Sequence, residues 1–317
     1  MQECSIKPLQ NIEYIYSNNT KLAYAILNNQ IPIDGKYHGL NVLEDAEIKI
    51  AIRYPKRKDF QFLPIDALIL DAIGSLHDNG LYHFTTDMIA KIIYQDIHHR
   101  ATAKTLKTIR DRLTEMMALK IRINIDEESW VRKKAFQDER LEGKHYHPFL
   151  PIEEIEVVFS ANSKKGEGYR LCWTPPLWSY AKYTKQVIAC NFDVFSSLKV
   201  NKTLETLLIL KYVHHRVEMM KNPKNKMRNP KIGLYRLENH VPKGLLPACG
   251  IDPSKFKNWN DKHKKICDLI DAFLTVLKQE KEPKLRIKDY RYYNNASGEG
   301  FRIDLYSRRS NKHYHKK

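Results

Sequence analysis

Apolar residues recur at three- and four-residue intervals over Ile266, Leu269, Ile270, Phe273, Leu274 and Leu277. That period places them on one face of a helix beginning near Asn258, and the face is core. Beyond the helix the period changes to two: Leu285, Ile287, Phe301, Ile303 and Leu305 alternate with Arg286, Lys288, Arg302 and Asp304. This is the pattern of a half-buried hairpin. Its tip, from Arg291 to Gly300, carries the turn residues with one cation and the tyrosines Tyr292 and Tyr293. A helix followed by a basic hairpin is the ending of a winged helix.

The first half of the chain carries a related pattern. Leu63, Ile65, Leu68, Ile69, Ala72, Ile73 and Leu76 predict a helix that stops at Asp78-Asn79-Gly80. Thr85 or Thr86 can cap a short helix through Met88, Ile89, Ile92 and Ile93, and a turn follows at Tyr94 to Ala101. A third helix, Thr102 to Leu119, puts Leu106, Ile109, Leu113, Met116 and Met117 on one face. Ile121, Ile123 and Ile125 then alternate with polar residues as a strand leading into a long charged wing, Asp126 to Pro151. Strands at Ile155 to Phe159 and Tyr169 to Trp173 close the domain, and Pro175-Pro176 marks a junction near Tyr180 to Gln186.

The second half repeats this order of elements without repeating the sequence. Thr203 to Met220 is a helix, Ile232 to Leu237 and Glu238 to Val241 hold a short second helix, and a turn spans Pro247 to Pro253. The helix and hairpin described first complete the unit. The expected fold class is therefore α+β: two tandem winged-helix domains, mainly helical, with small antiparallel sheets. The expected divisions are an N-terminal arm (1–60) holding a helix at Thr20 to Asn28 and a strand at Ile48 to Arg53, a first domain (61–185), a second (186–306) and a basic tail (307–317).

Composition narrows the partner. The 317 residues suffice for two domains with separate cores, and 54 Lys+Arg against 37 Asp+Glu give +17, which favours polyanions. Nucleic acid ranks first and an acidic membrane surface second. No apolar run approaches a membrane span, and Met1-Gln-Glu-Cys lacks the blocks of a signal peptide, so a cytoplasmic protein is expected. Cys4, Cys172, Cys190, Cys249 and Cys267 are odd in number and widely spaced. His263 and Cys267 stand four apart on one helix face without a second pair of ligands beside them, so no metal and no cofactor are expected.

Cations crowd the first turns of the last helix, where the helix dipole disfavours them and burial does not call for them. An anion outside the chain accounts for Asn260, Lys262, His263 and Lys265, with Lys264 beside them. Lys104, Lys107, Thr108 and Arg112 occupy the corresponding helix of the first half, and the hairpin adds Arg291. Lys221, Lys224, Lys226 and Arg228 lie in an acid-free run and are further phosphate candidates. Any one of these cations alone reads as a solvated face. Their joint placement at the third helix of both halves favours a DNA duplex.

Catalysis has one candidate. His145-Tyr146-His147, echoed by His313-Tyr314-His315, has the spacing with which a strand could hold a divalent metal for a tyrosine nucleophile. The first copy precedes Pro148 in a charged stretch and the second lies in the tail. No phosphate-binding G-x-x-x-x-G-K-[ST], G-x-S-x-G or H-E-x-x-H occurs, so a binding protein and not an enzyme is expected.

Leu204 to Tyr212, opening the second unit, and Leu285-Arg286-Ile287 with Gly300-Phe301-Arg302-Ile303, closing it, resemble the theta-type, iteron-binding plasmid replication initiators. The resemblance spans Gln61 to Tyr306. It implies that both domains lie on repeated origin DNA, with Asn260, Lys262, His263 and Lys265 reading bases. Lys104, Lys107, Thr108 and Arg112 would make phosphate or secondary contacts, and Arg291 would supply the wing. It further implies a monomer–dimer equilibrium and host replication proteins, such as a helicase or initiator, as partners. The chain departs from that family in its first sixty residues, the charged segment Asp126 to Pro151 and the basic insert Lys221 to Lys231. A winged-helix transcriptional regulator is the alternative, and a metal-dependent rolling-circle nicking enzyme the less favoured one.

Overall fold

The computed structural model describes residues 9, 12, 14–43, 46–55, 60–125, 145–159, 164–191, 198, 200–221, 230–238, 241–281, 286–295 and 298–306. The protein is a mixed α and β chain with small antiparallel sheets, divided into two compact units, 1–192 and 193–317.

The first unit opens with strand β1 (Tyr14–Asn18) and helix α1 (Lys21–Leu27), which Thr20 caps by accepting the Ala23 N–H at 3.0 Å. Strands β2 (His38–Leu43) and β3 (Ala46–Arg53) follow. Helix α2 (Pro64–Asp78) begins with proline at a first-turn position, where the missing N–H has no intrahelical acceptor to lose. It ends at Asn79, and Gly80 takes the left-handed conformation that stops it (φ +71). Then come β4 (His83–Phe84), α3 (Thr86–Tyr94) capped by Thr85, and α4 (Ala103–Ala118) capped by Thr102. Strands β5 (Lys120–Ile125), β6 (His147–Pro148), β7 (Ile152–Phe159) and β8 (Lys164–Leu171), helix α5 (Pro176–Tyr183) and strand β9 (Val187–Asn191) complete the unit.

Three sheets result, ordered β2-β3-β5-β6, β4-β8-β7 and β1-β9. In the first, Ile48, Ile50 and Ile52 stand opposite Ile125, Ile123 and Ile121, and all six are buried. Residues 1–60, expected as an arm, thus supply strands and core to this unit. β5, expected to lead into a wing, is instead an inner strand of that sheet. Alternation reveals that a strand has one buried face but not which strand it pairs with. Most of the charged segment Asp126 to Pro151 lies outside the described residues.

Pro175-Pro176, expected as a break, instead opens α5 at a position where proline is favoured. The helix buries Leu177, Trp178, Tyr180 and Ala181. Trp178 lies against Gly74 of α2 and donates its indole N–H to Asp78 Oδ1 at 3.2 Å. A methyl group on Gly74 would meet the indole at 2.5 Å. Gly74→Ala gains about 1 kcal/mol of helix propensity, while forcing a rigid ring aside costs about 1–3 kcal/mol. The net expectation is a destabilisation of about 1 kcal/mol, read as a lower thermal midpoint.

The second unit runs α6 (Leu204–Lys221), β10 (Lys231–Glu238), β11 (Val241–Lys243), α7 (Leu245–Ala248), a 3-10 turn at Pro253–Lys255, α8 (Trp259–Gln279), β12 (Asp289–Asn295) and β13 (Gly298–Asp304). Its sheet is ordered β11-β10-β13-β12. The short helix expected over Ile232 to Val241 is corrected by this structure: that stretch is two strands, and the helical turn falls one segment later. Ile232 and Leu234 are buried while Gly233 and Tyr235 are not, a period of two that the adjacent Gly and basic residues obscured. Gly300 faces Gly233 across β10 and β13, and a Cβ on it would lie 2.0 Å from the Ile232 carbonyl oxygen. Leu285 lies outside the described residues. Ile287 is fully buried just before β12. Among the described residues no helix is long and apolar enough to cross a membrane.

Candidate nucleic-acid interface

In the first unit Ile109, Leu113 and Met116 turn α4 inward, leaving Lys104 and Lys107 exposed in its opening turns. The first turn carries no acid to balance them. Thr108 is half-buried and donates its hydroxyl to the Lys104 carbonyl at 3.0 Å, the local bond common to helical threonines. Arg110 reaches across to Glu167 of β8 at 2.7 Å and ties the helix to the hairpin.

Arg112, expected at a phosphate, is corrected by its surroundings. It is 8 % exposed and its Nε donates to Asp66 Oδ1 at 2.8 Å. The guanidinium also bonds Glu115 and the Gln61 carbonyl, and lies 4.8 Å from the centre of the Phe60 ring. Burial works against its charge, and Asp66 together with Glu115 more than offsets that. Such a side chain holds a core together, with Asp66, Glu115 and the Gln61 carbonyl taking its donors on all three nitrogens.

In the second unit Asn258 caps α8, and Ile266, Ile270, Phe273, Leu274 and Leu277 are buried as their spacing requires. Asn260, Lys264 and Lys265 are exposed in the first two turns, with Lys257 just before them. Lys262 turns back to Glu205 of α6 and lies over the Phe256 ring. His263 bonds Glu299 of β13 at 2.7 Å and flanks Trp259. Arg291 is exposed on β12. Of the four residues assigned to base reading, Asn260 and Lys265 therefore point outward, while Lys262 and His263 are held internally.

The hairpin tyrosines pack. Tyr292 meets Phe301 edge-on at 5.5 Å and donates its hydroxyl to Glu299, while Tyr293 lies under the Lys231 ammonium at 4.8 Å. Partial burial and the Glu299 carboxylate both raise the Tyr292 phenol pKa, which keeps it a donor. Burial pushes the Cys267 thiol, one turn along from His263, up to about 11.

Lys221 is half-buried and bonds Glu218 at 2.6 Å. Lys224, Lys226 and Arg228 lie outside the described residues. His145 is exposed, whereas the Tyr146 hydroxyl between the two histidines bonds the Gly35 carbonyl at 2.7 Å. His313, Tyr314 and His315 lie outside the described residues.

One basic surface was not foreseen. Lys49 and Arg53, both exposed, and Lys120 and Arg122, both half-buried, share the face of β3 and β5 opposite the isoleucines, with Arg53 opposite Lys120. Arg53 stacks on Tyr146 at 4.1 Å, and Arg122 on Tyr37 at 4.2 Å. The alternation of each strand carried the signal, but only their pairing brings the cations together.

No protein-family model and no curated protein matches the chain. Among solved structures, the crystal structure of domains 2 and 3 of RctB is similar at 12% identity, covering 89% of this chain and 98% of that one, with a TM-score of 0.39.

Proposed function

We propose that this chain is a sequence-specific double-stranded DNA-binding protein, built on two winged-helix units, that initiates replication of a plasmid or related mobile element. Support for the two units comes from their matching topology. Each carries a helix, a strand, a short helix, a longer helix and a later hairpin, and in each the strand after the first of these helices pairs with the last strand of that hairpin (β4 with β8, β10 with β13); the first unit inserts β5 and β6 before its hairpin and the second adds β11 before its short helix. The observation that carries the reading is the exposure of lysines at the start of the third helix in both: Lys104 and Lys107 in α4, Lys264 and Lys265 in α8.

In this reading α8 enters a major groove, where the Asn260 amide can pair with an adenine edge and Lys264 or Lys265 with a guanine edge. Lys104, Lys107 and Arg291 neutralise phosphates and release counterions. Docking on adjacent origin repeats strains the duplex and helps host proteins load a helicase. Dimerisation through the first unit would adjust the number of molecules engaged.

Selection of bound oligonucleotides from a random pool tests the reading. The expected result is a consensus bound about a thousandfold or more above scrambled DNA near physiological salt. Lys104→Ala and Lys107→Ala should each lower the salt slope by about one phosphate equivalent without changing the consensus, whereas Asn260→Ala should relax it. Equal affinity for scrambled DNA overturns sequence-specific binding. A consensus protein that cannot sustain a plasmid lacking its own initiator is a regulator and not an initiator.

A further inference from the structure

We propose that His263, Cys267 and Glu299 form a binding site for one divalent metal ion of the zinc class, clipping the start of α8 to β13. This does not rest on the DNA-binding reading.

The helix brings the first two ligands together and the strand register supplies the third. His263 and Cys267, four apart on α8, project from the same face, and Glu299 comes from β13. Their ligand atoms all lie within 4.8 Å of one another, and the three residues are half-buried. Cys267 forms no disulfide.

The spacing suits a small tetrahedral ion. With metal–nitrogen and metal–oxygen bonds of about 2.0–2.1 Å and metal–sulfur of about 2.3 Å, a tetrahedron separates N from S by about 3.6 Å and N from O by about 3.3 Å. Cys267 Sγ stands 3.8 Å from His263 Nε2, already near that spacing. The His263–Glu299 separation of 2.7 Å is a hydrogen bond and opens by roughly half an ångström when a metal takes the place of the shared proton. A nitrogen, a sulfur and an oxygen donor form the mixed set that zinc accepts, while calcium and magnesium require oxygen ligands. Three protein ligands leave the fourth position to water.

The surroundings orient the ligands. The Tyr292 hydroxyl donates to Glu299, and the Trp259 ring flanks the imidazole at 5.6 Å between centroids. A bound ion would fix α8 against the hairpin and, with the thiolate and carboxylate balancing its two charges, leave a neutral site beside Lys264 and Lys265.

Cobalt(II) titration of the full reduced chain tests the site. Binding of one equivalent should produce a sulfur-to-cobalt charge-transfer band with the visible bands of a tetrahedral ion, and zinc should displace it. Cys267→Ser should abolish the charge-transfer band, and Glu299→Gln should weaken binding, with circular dichroism showing both variants folded. Tyr292→Phe should lower affinity by about 10–100-fold through the lost outer hydrogen bond. If the serine variant does not fold, the Glu299 and Tyr292 variants decide. Absence of the sulfur band in the unsubstituted chain, or affinity unchanged in those variants, overturns the site.

Discussion

Arg112→Ala will destabilise the first unit by about 3–5 kcal/mol, the range for breaking a buried ion pair from one side. Asp66 is fully buried, accepts from Arg112 Nε at 2.8 Å and also receives the Leu63 N–H at 2.8 Å at the start of α2. Removing the guanidinium leaves that carboxylate with the backbone donor but without its counter-charge. The Gln61 carbonyl loses a donor and the Phe60 ring loses the cation over its face in the same step. Arg112→Lys restores the charge without the planar fork and should recover only part of the loss. Replacing both partners with apolar residues, as in Asp66→Leu with Arg112→Met, should cost less than Arg112→Ala alone, because no buried charge is then orphaned. Chemical denaturation of the three variants checks this, and unchanged stability in Arg112→Ala would refute it. DNA affinity separates the two kinds of α4 cation: Lys107→Ala should change binding and leave the denaturation midpoint in place.

Periodicity located α2, α3, α4, α6 and α8 because a helix face is a local property, whereas the short α5 was missed and α7 was misplaced. Thr85, one of the two threonines expected to cap α3, does so, Thr102 and Asn258, expected to open their helices, cap them, and the buried stripe of α8 follows its spacing. Pairing between distant strands was not legible in the same way. β3 and β5 each display an isoleucine every second residue, yet nothing local says that they lie side by side or that Arg53 and Lys120 will meet on the outer face. Arg112 misled for a related reason. It stands among exposed charges in sequence, and only the Asp66 carboxylate, brought from α2, turns it inward.

The candidate metal ligands show the same boundary. His263 and Cys267 were visible as a helical pair, and their third partner, Glu299, sits at the tip of a hairpin whose register no helical period encodes. Lys262 is a further case: its contact with Glu205 depends on how α6 packs against α8. Exposed lysines at the start of α4 and α8 needed no such pairing, so those candidates were readable directly.

Acidification will weaken the second unit through His214, with a slope approaching 1.4 kcal/mol per pH unit for that one group. Burial, reinforced by the positive charge of Lys221, lowers its pKa to about 3, so the folded imidazole stays neutral far below its ordinary range. An unfolded histidine titrates near 6.5. As pH falls below that value the unfolded chain takes up a proton that the folded chain does not, and stability is lost until the folded group titrates in turn. Glu218 lies 4.0 Å from His214 and holds Lys221, Phe273 of α8 meets the ring edge-on, and His215 is likewise depressed by burial. Burial raises the Glu218 pKa, so the folded state gains a proton there earlier than the unfolded one and offsets part of the loss at lower pH. The histidine contribution builds as pH falls through 6.5, and Glu218 opposes it. His214→Leu keeps an apolar filling against Phe273 and removes the titration. Hydrogen exchange of α6 and α8 amides between pH 7 and 5.5, corrected for intrinsic rates, should show the variant's pH slope reduced whatever its stability at pH 7. Equal slopes in the two proteins would mean that His214 is charged in the folded chain, contrary to the burial that α6 and α8 impose on it.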